Sequence, residues 1–408
     1  MKKLIALLLA LSMLLCLAAC AAKQEDSPAP STDASNTEQT KQGDVSASEE
    51  NTASAEPIYV GVLAPLTGAM AEFGKTYEVA MTMAQEEINA AGGINGRELI
   101  LDFADSKGDQ NQSAELASHF AENEKYVAIL GDFSSGCSMA AGPIATEEEI
   151  VLFSPTASNV NFATISDWCF QIAGRSSYEG SYACTYEMGK YQGAKDVALF
   201  YMNNDFGASI VEAFEGAAAE CGINVVFCEG YSDTETDFAA LITKARAANP
   251  DHVMIVDQSS ISNVINQIRN SGWDVPITML GPSTSQQVID LCGENCEGVM
   301  TTVSVYYSED DPKAYAFATE FAERAGFGAT VMAGFAYDGV KILSEAIAAC
   351  GGDITRQAIR DNLAATDGTY LTGPIKFTED GDIVRSYLLC EIVDGKYVIR
   401  CGYDYANE

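Results

Sequence analysis

Histidine and tryptophan are nearly absent from this 408-residue chain, with two of each. So few imidazoles leave little room for a histidine-based hydrolytic triad or a zinc site, because His119 and His252 each stand without a second candidate ligand nearby. Gly136-Cys-Ser-Met does not form the Gly-x-Ser-x-Gly nucleophile elbow. Catalysis, a bound metal and a cofactor are therefore not expected. Basic residues are scarce as well: 23 Lys and Arg face 58 Asp and Glu, a formal charge of −35. From Pro57 onward 19 basic residues face 50 acidic ones (four and eight of each precede it), a net charge of −31. Nucleic acid and anionic membrane surfaces are poor partners for such a chain. No apolar run long enough to span a bilayer occurs, the nearest being Leu4 to Leu15.

That short run belongs to the beginning of the chain. Met1-Lys-Lys is a positive n-region, Leu4 to Leu15 an apolar h-region, and Leu17-Ala-Ala-Cys20 a small-residue cleavage site. Leu-Ala-Ala-Cys resembles the bacterial lipobox, which implies that residues 1–20 are a lipoprotein signal peptide and that lipidated Cys20 becomes the mature N-terminus. An extracytoplasmic location follows, with the acyl chains holding the protein to the cell membrane. Residues 21–56 are Ser, Thr, Ala, Glu, Gln, Asn and Asp with almost no large apolar side chain. Such a tract cannot bury enough surface to offset its ordering entropy and reads as a disordered linker.

The 352 residues from Pro57 exceed one compact core and suit two lobes. Strand-like apolar runs alternate with helical patterns: Ile58 to Leu63, a helix from Lys75 to Ala91, Glu98 to Phe103, a helix from Asn111 to Glu124, Tyr126 to Leu130 and Ile150 to Phe153. After Trp168 to Ala173 the rhythm restarts at Val197 to Tyr201 and runs through Ile223 to Phe227, Val253 to Val256, Ile277 to Leu280 and Val299 to Val303. This predicts an α/β protein of two doubly wound lobes with parallel-rich sheets. Two of the strand ends share a chemistry. Gly131-Asp-Phe-Ser-Ser-Gly-Cys-Ser opens a helix at about Gly136, and Ile150-Val-Leu-Phe is followed by Ser154-Pro-Thr-Ala-Ser158. Ser134, Ser135, Thr156 and Ser158 would face one crevice beside a helix start, a setting that favours a carboxylate. The same residues could equally be helix caps. Ten cysteines follow Cys16 and Cys20, and Cys292 with Cys296, Cys221 with Cys228, and Cys390 with Cys401 are close enough in sequence to pair in an exported protein, or to remain as buried thiols.

The ordered set Gly61-Val-Leu-Ala-Pro-Leu-Thr-Gly68 with Phe73-Gly74, Ile88-Asn-Ala-Ala-Gly-Gly-Ile-Asn-Gly-Arg97, Tyr201-Met-Asn-Asn-Asp-Phe-Gly207, Ala248-Asn-Pro-Asp251, Tyr337-Asp-Gly-Val and Leu371-Thr-Gly-Pro-Ile-Lys-Phe377 resembles the branched-chain amino-acid binding proteins of ABC importers, which have the type I periplasmic-binding fold. The resemblance covers essentially the whole chain from Ile58. It implies two lobes joined by three hinge crossings, lobe 1 at 57–173 plus 305–372 and lobe 2 at 174–304 plus 373–408. It implies that Ser135 and Ser158 bind a ligand carboxylate by hydroxyl and backbone N–H, and that Ala157, between Thr156 and Ser158, is also a ligand-binding residue. The Thr156 carbonyl and the Ser158 hydroxyl would receive an α-ammonium, and Phe73 and Phe206 would lie against the ligand. Where the family places an acid past a strand of lobe 2, this chain reads Val256-Asp-Gln-Ser-Ser260, so Asp257 becomes the expected ammonium partner. Arg175 and Tyr178, at the crossing into lobe 2, are further candidates for the cleft. The implied function is a monomeric substrate-binding lipoprotein that delivers an amino acid to the permease and ATPase subunits of an importer. A sensor domain acting through a partner, or a binder of a small amide, are the alternatives.

Overall fold

In a computed structural model of the chain, residues 56–257, 259–280, 286–305, 307 and 311–403 are described. Cys20 and residues 21–55 lie outside them. None of the helices described is long and apolar enough to cross a membrane.

The first sheet holds β1 (Ile58–Ala64), β2 (Leu99–Asp105), β3 (Tyr126–Leu130), β4 (Val151–Ser154) and β5 (Cys169–Gln171), all parallel and ordered β2-β1-β3-β4-β5. Alternation along the strands sends successive side chains to opposite faces. Ala128 and Leu130 therefore pack toward α1 (Ala71–Ala90), while Ile129 between them packs toward α2 (Gln110–Ala121) and α3 (Ser135–Glu147). Both faces are covered, which is why these strands read as continuous apolar runs.

The second sheet repeats the order. α4 (Ser176–Tyr182) continues as a π-helical segment (Ala183–Gln192), followed by β6 (Asp196–Met202), α5 (Asp205–Cys221), β7 (Asn224–Tyr231), α6 (Ala239–Ala247), β8 (His252–Val256), α7 (Ile261–Asn270), β9 (Ile277–Met279), α8 (Gln286–Cys292) and β10 (Met300–Val303). The spatial order β7-β6-β8-β9-β10 matches the first sheet, with strand order reversing at β6 as it does at β1. Ala198, Phe200, Val253 and Ile255 face α6 to α8, whereas Val197, Leu199, Met254 and Val256 face α4 and α5.

The C-terminal third departs from simple repetition. α9 (Pro312–Ala325) and α10 (Val331–Ala349) return to the first core, where α10 packs along α1; α11 (Arg356–Ala364) packs beside α10, and β11 (Asp367–Tyr370) pairs with β12 (Gly373–Lys376) as a separate hairpin. β13 (Tyr387–Val393) and β14 (Lys396–Tyr403) then extend the second sheet antiparallel at β10. Ile375, Phe377 and Ile383 still belong to the first core. The side chains of residues 375–383 thus pack with the first lobe past the expected boundary at 372, and a third crossing beyond Ile383 is the placement that this packing favours.

Candidate functional site

Two strand-end loops of the first lobe are locked together by their own polar groups. At Gly131, with φ of +110°, a Cβ would sit 2.2 Å from the Leu63 carbonyl, so only glycine lets β3 turn there. The chain then buries Asp132, whose carboxylate accepts Ser113 Oγ at 3.1 Å and whose carbonyl accepts Ser154 Oγ at 2.7 Å and Ser138 Oγ at 3.1 Å. Burial pushes the Asp132 carboxyl above its ordinary range. Thr156 Oγ1 donates to the Phe133 carbonyl at 2.7 Å and pairs with Tyr77 OH at 2.5 Å, and Ala157 N donates to Ser154 Oγ at 2.9 Å. Ser158 N donates to Ser135 Oγ at 3.3 Å, which joins the two predicted carboxylate-binding serines directly. Ser134 caps α3 by accepting Cys137 N at 3.3 Å. The helix-cap reading of that serine is therefore correct, and its neighbour Ser135 is the one that faces the crevice.

The crevice lies between the lobes. Phe133, Ser135, Thr156 and Ser158 line it from the loops of the first lobe, and Val331, Met332 and Phe335 from the start of α10. Glu179 from α4, Phe206 from α5, Thr302 and Ser304 from the end of β10, and Tyr387 from β13 close it on the second lobe. It is a small cavity in which hydroxyls, one carboxylate and apolar side chains converge. The loops that bring Phe133, Ser135, Thr156, Ser158, Phe206 and Ser304 follow the C-terminal ends of parallel strands, the place where doubly wound sheets hold ligands, whereas Val331, Met332, Phe335 and Tyr387 come from the C-terminal third.

Of the expected site residues, Ser135, Thr156, Ser158 and Phe206 line this cavity. Ala157 is fully buried beside them and contributes backbone. Phe73 does not line the cavity; it stacks on Phe133, centroids 4.3 Å apart and planes 13° from parallel, and so supports the ring that does. Tyr178 is half-buried and outside the lining. Asp257 is fully buried, and its carboxylate accepts Tyr231 OH at 2.5 Å, Ser259 N at 2.6 Å and Ser260 N at 2.7 Å. It is not among the residues that line the cavity, and the Tyr231 phenol beside it is held far above its ordinary range by burial and by the adjacent carboxylate.

Arg175 is likewise committed elsewhere. Its Nε donates to Asp382 at 2.6 Å and its Nη2 to Asp380 at 2.8 Å, both in the third crossing. The carboxylate that does reach the cavity is Glu179, in the first turn of α4, where Thr302 Oγ1 donates to it at 3.4 Å. Sequence reasoning stops one residue short of it at Tyr178. Thr302 and Ser304 carried the same signal as the first-lobe loops, hydroxyls at a strand end, and were legible on that ground.

Residues 57–396 match the family profile described as periplasmic binding protein, and the chain belongs to that family. A Leu/Ile/Val-binding protein homolog 1 of Brucella abortus is 26% identical over 347 residues, covering 83% of this chain and 92% of that protein. An amino acid binding protein of Pseudomonas aeruginosa is 32% identical over 197 residues, 48% of this chain and 52% of that one. In fold the chain resembles LivJ of Streptococcus pneumoniae crystallised with isoleucine, at a TM-score of 0.77, 24% identity, and coverage of 85% and 99%. It resembles equally a solute-binding protein from R. palustris in complex with benzoate, at a TM-score of 0.78, 21% identity, and coverage of 85% and 96%. The type I periplasmic-binding architecture of the branched-chain amino-acid group is thereby established.

Proposed function

We propose that this protein captures a free α-amino acid with an apolar side chain in the cleft between its lobes and hands it to the permease of an ABC importer. The observation that carries the reading is the division of the cavity's chemistry. Hydroxyls and a helix start cluster at Ser135 and Ser158, a carboxylate stands at Glu179, and Val331, Met332, Phe335 and Tyr387 supply apolar wall. A zwitterion fits that division: its carboxylate at the serines, its ammonium at Glu179, its side chain against the wall. Ser158 Oγ would serve both charged groups.

A plain aromatic acid, such as the benzoate held by one structural neighbour, would leave Glu179 facing it with like charge. That repulsion favours the amino acid. Calorimetry with leucine, isoleucine, valine, phenylalanine and benzoate tests the reading. Saturable heat from at least one amino acid and none from benzoate is expected; benzoate alone binding would overturn it.

The reading extends to the protein's setting. It binds its ligand without transforming it, acts as a monomer, and is tethered to the outer side of the cell membrane through lipidated Cys20 and the 21–56 linker. The lobes move about the three crossings, near 174, near 304 and beyond Ile383. Membership of a transport family supports delivery over sensing.

A further inference from the structure

The helix that carries Glu179 also buries a second acid. Glu187 has no exposed surface, and among the described residues neither carboxylate oxygen has a hydrogen-bond partner. It sits in the ten-residue π-helical continuation of α4, Ala183–Gln192, whose neighbours Ala183, Cys184 and Met188 pack into the second lobe's core. π-helical stretches of this length are rare, and they occur mostly where a side chain is placed for a purpose.

The groups around Glu187 offer a charge little compensation. Thr278 faces it from β9 as the one nearby hydroxyl, which accepts Gln192 Nε2 at 2.9 Å and keeps its own proton to offer. The thiols of Cys390 on β13 and Cys401 on β14 lie within electrostatic range, and Glu179 is the other acid that acts on it from the same helix. Among these groups there is no cation. A carboxylate here would have at most the Thr278 hydroxyl as donor and no counter-ion among these groups, too little to offset full burial, so the group is carried as the neutral acid. Burial first, and the Glu179 charge after it, hold its carboxyl well above the ordinary range.

We propose that Glu187 is a proton-dependent positioning residue: as the neutral acid it lets the α4 segment stay packed on the sheet with Glu179 turned to the cleft, and loss of its proton to water frees that segment. The amine end of the site is thereby tied to pH through a residue that touches no ligand. This rests on Glu179 being part of the proposed site, but the packing step does not. In the unfolded chain Glu187 ionises at an ordinary carboxyl pH. The stability contributed by the folded acid is therefore complete below that pH and declines as pH rises toward the folded value.

Amide hydrogen exchange of residues 176–192 at pH 6 and pH 9, corrected for intrinsic rates, is the test, run on the wild type and on Glu187→Gln. The amide matches the neutral acid in shape and cannot ionise. Protection in the wild type is expected to fall about tenfold or more over that range, and in Glu187→Gln to stay within about twofold. Equal pH dependence in the two proteins would overturn the proposal. Should Glu187→Gln fail to fold, Glu187→Met carries the same expectation. Glu179→Gln separates the two readings: it should keep the pH-dependent loss of protection but move it to lower pH, since a like charge is removed, and if it leaves leucine binding unchanged, the amine site is misplaced while the Glu187 result stands.

Discussion

Arg175 Nε donates to Asp382 Oδ2 at 2.6 Å, tying the first crossing between the lobes to the third. A reciprocal tie lies alongside: Arg385, in the third crossing, donates Nε to the Ile172 carbonyl at 2.8 Å and Nη1 to the Thr372 carbonyl at 2.7 Å. Its guanidinium lies 4.4 Å from the centroid of Phe335, a ring of the cavity wall. The crossings are hydrogen-bonded to one another, and they reach the wall of the cleft through the Arg385 contact with the Phe335 ring.

Removing one partner of such a tie should therefore cost stability. The Asp382 side chain is 1% exposed and that of Arg175 22%, so Arg175→Ala strands a buried carboxylate. A loss of about 2 to 4 kcal/mol is expected, somewhat below the full buried-pair figure because water reaches the arginine. Denaturant melts with and without Asp382→Asn form the check; a strictly additive double mutant would mean the pair does not couple.

Ser158 is the residue expected to matter most for affinity. A charge-assisted hydrogen bond in a closed cleft contributes roughly 1.5 to 3 kcal/mol, so Ser158→Ala should weaken binding about tenfold to a hundredfold. Its melting curve should move little, because the loop is also held by Thr156 and Ala157. Unchanged affinity in calorimetry would place the carboxylate elsewhere.

Glu179 and Asp257 should part company. Glu179→Gln removes the acid that lines the cavity and should weaken an amino acid about tenfold or more. Asp257→Asn removes an acceptor shared by Tyr231, Ser259 and Ser260, so thermal melts should report the loss while ligand affinity is nearly kept. The opposite pattern would restore Asp257 as the amine partner.

Closure depends on contacts across the cleft mouth. Asn159 Nδ2 donates to the Asp205 carbonyl at 3.3 Å and Gln110 Nε2 to the Asp205 carboxylate at 3.5 Å, beside Gly136, where an added Cβ would meet Asp205 at 2.8 Å. Ligand should reduce the radius of gyration in solution scattering. Asn159→Ala should speed ligand release several-fold with little change in association, which stopped-flow fluorescence resolves.

Cys20→Ser should leave an unprocessed precursor or a released protein. Mass spectrometry of the membrane fraction is the measurement, and an unmodified mature Cys20 there would sink the anchoring proposal.

Cysteine shows how unevenly proximity in sequence carries into space: Cys292 and Cys296 do meet. All ten described cysteines are thiols in the structure, and Cys221 lies against Thr185 Oγ1 at 3.3 Å rather than beside Cys228. Across β13 and β14 a register shift sets Cys401 opposite Leu389 and Cys390 opposite Ile399. Neither fact is written in the spacing.

The sequence by itself determined the doubly wound class, because strands covered on both faces must be continuous apolar runs and each ends where hydroxyls and a helix start appear. It also determined Ser135, Thr156 and Ser158 as one crevice, since adjacent parallel strands bring their C-terminal loops together whatever else the chain does. The antiparallel β13 and β14, the π-helical continuation of α4 and the presence of Glu179 rather than Asp257 in the cavity lining came only with the tertiary structure. Which carboxylate lines the cavity depends on how the fold places each acid's donors, and those donors come from residues 26 positions away in the case of Tyr231 and 123 in the case of Thr302. No local pattern encodes that placement.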